Sequence, residues 1–249
     1  MVTTTECPAC QGSGWVRVSR DGVSGVSRCD CLRQRRADRL LSTAGIPRRY
    51  EHCELEGFEF TERVRTQSLE RAKAIAERFV HEYPTATPFG LLFMGPPGIG
   101  KTHLAVAIMK HLMREKSVPC LFRTLPDLLA EIRGSYDPVS SFSEMSLLRP
   151  VLQTDTLVLD ELGAQNPSGW VKDTVAYILN RRYENNRVTI LTTNYLDQDD
   201  FKSHRKGLGH TLAERIGEPM RSRLYEMCKT VVMSGDDFRK IYKQDEHRL

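Results

Sequence analysis

The chain has 249 residues, 40% of them hydrophobic and 27% charged, with a formal net charge of +4; that is enough for one large α/β domain and a small appendage. No apolar run approaches the roughly 18 residues a membrane helix needs, and the opening "MVTTTEC" lacks the charged start and apolar stretch of a secretory signal. The expectation is a cytoplasmic protein without a membrane partner, in which seven cysteines do not argue for a disulfide framework.

The charge is uneven. Residues 1–50 carry nine arginines against four acids (Glu6, Asp21, Asp30, Asp38), and from Lys202 onward eleven basic residues face seven acids. Such ends suit a polyanion or an acidic partner, although a basic face is often only solvated.

In chain order, residues 1–31 are rich in Gly and Ser and hold "CPACQGSGW" and "CDC". Cys7, Cys10, Cys29 and Cys31 can supply four thiolates to a Zn²⁺, with glycines at 12 and 14 permitting the tight turn after the first pair. Zinc would anchor a fold too small to bury a core of its own. A redox pair or unrelated free cysteines are the alternatives, because the second pair has only one residue between its members. Trp15 reads first as the module's small core and second as a partner anchor. Cys53, Cys120 and Cys228 read as buried small apolar residues.

The basic run "LRQRRADRLL" can form a helix, leading through "GIPRRY" into "EHCELEGFEF". In "TQSLERAKAIAERFVHEY", Leu69, Ala72, Ala76, Phe79 and Tyr83 alternate spacings of three and four, the mark of an amphipathic helix. From Pro88 onward short apolar strands ("GLLFM", "PCLFR", "TLVLD", "VTILTTN", "TVVMS") alternate with helical patterns starting near Lys101, Leu125, Ser168, Thr211 and Asp236. This order predicts a parallel sheet between helices. The polar, turn-rich "GSYDPVSSFSEMS" (134–146) reads as a loop.

The chemistry concentrates in "MGPPGIGKTHLA". Gly95, Pro96, Pro97, Gly98, Ile99, Gly100, Lys101, Thr102 and His103 follow a strand and open a helix, the context a phosphate-binding loop requires. Backbone N–H groups and the helix N-terminus would face the phosphates, Lys101 would reach the β- and γ-phosphates of ATP, and Thr102 would ligate Mg²⁺. "TLVLDELG" ends a strand in two acids. Asp160 would hold Mg²⁺ and Glu161 polarise the attacking water, which favours hydrolysis over transfer to a kinase acceptor. Asn194, at the tip of "VTILTTN", could orient that water. Arg221 and Arg223 in "GEPMRSRLYE" could reach the γ-phosphate of a neighbouring subunit.

The set "GPPGIGKTHLA", "LVLDELGAQNPSGWVKDTVAYILNRRYENNRVTILTTN", "ERIGEPMRSRL" and "GDDFRK" resembles the DnaC/IstB group of AAA+ ATPases, over roughly residues 45–243. The resemblance implies a P-loop AAA+ core: a five-stranded parallel sheet between helices, no separate lid domain, preceded by a small zinc-binding module. It implies Walker A roles for Lys101 and Thr102, Walker B roles for Asp160 and Glu161, sensor 1 for Asn194, and the arginine finger for Arg223. Pro219 stands where many relatives have an arginine, which leaves a second sensing arginine in doubt or shifts that role to Arg221. The division expected is residues 1–50 for the zinc-bearing partner-docking module, 51–85 for a linker and amphipathic helix, and 86–249 for the ATPase. The function implied is ATP-dependent loading of a hexameric, DnaB-type replicative helicase onto single-stranded DNA, with self-association through ATP at subunit interfaces. Candidates for touching DNA are Arg133, Tyr136 and the basic stretch from Lys202 to Lys206. An IstB-type transposition ATPase, working with duplex DNA and a transposase, is the nearest alternative. A non-hydrolysing ATP-binding adaptor is the rival from another class.

Overall fold

A computed structural model describes residues 7–20, 23–58, 66–84, 90–139, 141–197 and 210–240. Between the two cysteine pairs, β1 (Trp15–Arg20) and β2 (Val23–Arg28) form an antiparallel hairpin that pairs Trp15 with Arg28. Helix α1 (Asp30–Thr43) follows at once, and a single 3₁₀ turn covers Arg48–Tyr50. Helix α2 (Gln67–Glu82) begins where the Thr66 side chain accepts the Leu69 N–H at 3.3 Å, an N-cap, and buries Leu69, Ala72, Ala76, Phe79 and Val80.

The large domain then alternates β3 (Gly90–Met94), α3 (Lys101–Lys116), β4 (Cys120–Thr124), α4 (Leu125–Gly134), α5 (Glu144–Gln153), β5 (Thr156–Asp160), α6 (Gly169–Glu184) and β6 (Val188–Thr193). It closes with α7 (Leu212–Ile216), α8 (Glu218–Met227) and β7 (Cys228–Val232). The five strands lie in the order β4-β5-β6-β3-β7, every neighbour parallel. Strands β3, β5 and β6 are buried throughout, as a parallel sheet covered on both faces demands. Side chains alternate across it. Leu91 and Phe93 enter a core shared with α2 and α3, while Leu92 and Met94 enter a second core under α4–α8.

The register places the site. Met94 lies level with Thr193, and Leu159 with Leu191. The ends of β3, β6 and β5 therefore stand side by side at one edge, where ligands bind in open α/β sheets.

Three expectations change. Trp15 is 51% exposed, so it is not the core of the cysteine module; Cys10 and Cys29 are the buried side chains there, and Leu32 packs against Gly14. The polar segment from Gly134 ends in a helix, α5, whose N-cap Ser143 accepts the Ser146 N–H at 3.2 Å. Only Leu148 and Val151 of α5 are buried, too few to give a readable periodicity. Finally, packing runs across residue 50. Ala44 is wholly buried in the α2–α3 core, its carbonyl accepts the Phe122 N–H at 2.7 Å, and Leu40 and Leu41 pack alongside. One helix thus starts at the cysteine cluster and ends in the ATPase core. Lys202 to Lys206 lie outside the described residues, as does most of the helix expected from Asp236. Among the described residues no helix is long and apolar enough to cross a membrane.

Candidate nucleotide site

The loop after β3 takes the shape its glycines allow. Gly98 and Gly100 have φ of 79° and 93°, and a Cβ on Gly100 would stand 2.4 Å from the Phe58 ring. Helix α3 starts at Lys101, so its free N–H groups and positive end face the loop. The Lys101 ammonium donates to the Gly95 and Pro96 carbonyls at 2.8 and 2.7 Å. It is 6% exposed, and burial pushes it down to about 8 against the pull of Asp160. Pro97, Gly98, Ile99, Gly100, Lys101 and Thr102 line a cleft of about 590 Å³, together with Glu161 and Asn194.

Asp160 ends β5 at 1% exposure. Its Oδ1 accepts the Thr102 hydroxyl at 2.9 Å and the Thr192 hydroxyl at 2.5 Å, while its Oδ2 is buried with no partner. Burial raises the Asp160 carboxyl, against those two hydrogen bonds. A buried carboxylate with one orphan oxygen beside a hydroxyl is an all-oxygen donor set that fits Mg²⁺. Glu161 adopts a left-handed backbone (φ 63°) that turns the chain off the sheet, and its N–H donates to Thr192 Oγ1 at 3.1 Å.

The structure separates the two arginines. Arg221 is 2% exposed; its Nε and one terminal NH₂ group grip Asp197 at 2.8 and 2.5 Å, and its guanidinium lies 3.7 Å from the Tyr225 ring centroid. Burial by itself would lower its pKa, but the Asp197 carboxylate more than offsets that and raises it. Arg223 stands on the outside of α8 with a 40% exposed side chain, over the Tyr183 ring at 4.7 Å and 3.9 Å from Glu226. It does not line its own cleft. His103 turns to the strap before α2: its ring bonds the Glu54 carbonyl at 2.9 Å and packs on Phe58.

Several cleft residues escaped the sequence reading. Thr192 sits two residues before Asn194 and resembles any strand threonine. Arg49 and Tyr50 come from "RRY", whose 3₁₀ turn brings both to the wall of the cleft that Thr102 lines. Phe238 and Arg239 come from "GDDFRK".

In the N-terminal module, Cys7 and Cys29 sulfurs lie 3.7 Å apart, those of Cys10 and Cys31 3.4 Å, and all four within 4.8 Å of one another. Zn–S bonds of about 2.3 Å give a tetrahedral edge of about 3.8 Å, whereas a disulfide needs about 2.05 Å. The set fits Zn²⁺. Elsewhere, the Arg133 guanidinium lies 4.8 Å over the ring of Trp170, which meets Tyr136 edge-on at 6.5 Å and donates its indole N–H to the Tyr136 hydroxyl at 3.4 Å. Tyr136 is 53% exposed.

Comparison with known proteins agrees with this geometry. The family model described as IstB-like ATP binding protein matches residues 28–246. A replicative helicase loader DnaC of Buchnera aphidicola subsp. Schizaphis graminum is 31% identical, over 87% of this chain and 82% of its own length. Among solved structures, a DnaC helicase loader is 33% identical with a TM-score of 0.64, covering 76% of this chain and all of its own. The DnaI structure is 25% identical at a TM-score of 0.58, over 80% and 98%. The nucleotide loop, the acid-tipped strand and the five-stranded parallel sheet all fall inside the matched span, and the chain belongs to the IstB-like ATP binding protein family.

Proposed function

We propose that this chain is an ATP-hydrolysing loader that places a ring-shaped replicative helicase on single-stranded DNA. The carrying observation is a cleft that gathers the phosphate loop, Lys101, Thr102, Glu161 and Asn194, combined with an Arg223 that is exposed on α8 and is not among the residues lining that cleft. A site built this way is completed by a neighbouring copy. The kinship to helicase loaders by name supplies the partner class.

The loop N–H groups and α3 hold the phosphates, and Lys101 moves from the Gly95 and Pro96 carbonyls to the β- and γ-phosphates. Thr102 and the free Oδ2 of Asp160 would hold Mg²⁺, which neutralises charge on the phosphates. Glu161 takes the proton of the attacking water while Asn194 orients that water, and Arg223 from the next copy stabilises the charge that develops. Arg221, locked on Asp197, shapes α8 and leaves the finger role to Arg223.

The cysteine cluster would hold Zn²⁺ and present the docking module. Because α1 joins that cluster to the α2–α3 core, helicase contact and nucleotide state are linked through a packed element. Arg133, Tyr136 and Trp170 would offer single-stranded DNA a cation and two rings for stacking. The energy of loading comes from differential binding between nucleotide states.

Native mass spectrometry with the host replicative helicase, in ATP and in ADP, tests this reading. A helicase hexamer carrying several copies, dependent on the N-terminal module and on Lys101, is the expected result. No complex in either nucleotide would shift the assignment to a transposition ATPase, with duplex DNA and a transposase as partners.

A further inference from the structure

We propose that Arg49 and Arg239, from opposite ends of the chain, close on the γ-phosphate end of ATP in cis and make this cleft prefer ATP to ADP. The inference rests on the ATP site above and assigns two residues that neither the phosphate loop nor the acid-tipped strand supplies.

Both line the cleft, and both are exposed. Arg49 reaches it from the 3₁₀ turn, its guanidinium held 4.6 Å over the Tyr50 ring. Tyr50 in turn packs against the α2–α3 core, its ring 6.1 Å from that of Phe122, so the turn is seated on the large domain. Arg239 reaches it from the segment after β7. There the Phe238 N–H donates to the Gly98 carbonyl at 3.2 Å, and the Arg239 N–H to Asp237 Oδ1 at 3.0 Å. The Asp237 carboxylate itself lies against Gly98, where a Cβ would come within 1.8 Å of it. The backbone carrying Arg239 is therefore pinned to the phosphate loop.

Both guanidiniums are within electrostatic range of groups that serve the phosphates. Arg49 acts on Asp160, the carboxylate suited to the metal, and Arg239 acts on Lys101, which serves the β- and γ-phosphates. A triphosphate carries about four negative charges near neutral pH, and a divalent ion offsets about two of them. Lys101 supplies a single charge, from a buried ammonium. About one negative charge is left over, and two guanidiniums, which can bind phosphate oxygens in pairs, are more than enough to offset it. ADP lacks the group they would hold.

The test measures ATP and ADP affinity, with Mg²⁺, for the full-length protein and for Arg49→Ala, Arg239→Ala, the double variant and Arg239→Lys. Each alanine variant is expected to weaken ATP binding roughly ten- to hundred-fold, the range of a charge-assisted hydrogen bond, and ADP binding by about three-fold at most. The lysine variant restores part of the ATP affinity. Thermal melting stays unchanged, since both side chains are exposed. Equal losses for ATP and ADP, or no loss for either, would overturn the assignment while leaving the ATPase reading intact. A wild-type protein that binds neither nucleotide would sink both.

Discussion

Thr192→Val removes one hydroxyl and leaves the shape of the side chain. In the native protein that hydroxyl donates to Asp160 Oδ1 at 2.5 Å and accepts the Glu161 N–H at 3.1 Å. A hydrogen bond to a buried carboxylate is worth about 1.5–3 kcal/mol, and an orphaned N–H adds about 1 kcal/mol. The expected loss of stability is about 2.5–4 kcal/mol at neutral pH without nucleotide. At about 2–4 °C per kcal/mol for a domain of this size, the melting temperature falls by roughly 5–16 °C.

The pH dependence has a definite sign. The Asp160 carboxyl is raised in the fold, chiefly by burial. The native state therefore binds its proton more tightly than the unfolded chain, and stability falls as pH rises from the unfolded value of about 3.9 through the folded one. Losing the Thr192 donor raises the folded value further and extends that window upward. Urea denaturation at neutral pH and below the window checks this. The variant should lose more at neutral pH, because a protonated Asp160 depends less on the donor. A neutral-pH loss below about 0.5 kcal/mol, or one that is the same at both pH values, refutes the reasoning.

Arg223→Ala should keep ATP affinity and melting temperature while abolishing hydrolysis in the assembled state; hydrolysis at the native rate removes the finger assignment. Arg221→Ala should instead cost about 3–5 kcal/mol, since it leaves the partly buried Asp197 carboxylate without its counter-charge and with the Tyr225 hydroxyl in place of the guanidinium, and a silent substitution would sink that account. Cys31→Ser should lower bound zinc, measured by elemental analysis, from one equivalent per chain toward none and abolish helicase binding while the ATPase core still melts cooperatively. Trp170→Ala should weaken single-stranded DNA by about 1–3 kcal/mol with ATP affinity unchanged, read by fluorescence anisotropy.

By itself the sequence determined the elements whose physics is local. The glycine loop between strand and helix, the acids at the tip of "TLVLD", and the three-and-four spacing of α2 each follow from contacts within a few residues, so they are legible along the line. The four cysteines were legible for the same reason, because thiol chemistry marks them whatever surrounds them. The segment 141–153 was not, since a cap and two buried side chains leave almost no pattern. Trp15 was misplaced because a hairpin pinned by sulfur needs no aromatic core.

Only the tertiary structure decided which groups meet. Arg221 and Arg223 are two residues apart and chemically identical, yet one helix face buries the first on Asp197 and the other leaves the second in solvent. Thr192 stands beside Asp160 because β6 pairs with β5 in one register. Arg49 and Arg239, 190 positions apart in the chain, reach one cleft because the turn packs on the α2–α3 core and the tail is pinned to the phosphate loop. Packing and register are relations between distant residues, and no local spacing encodes them.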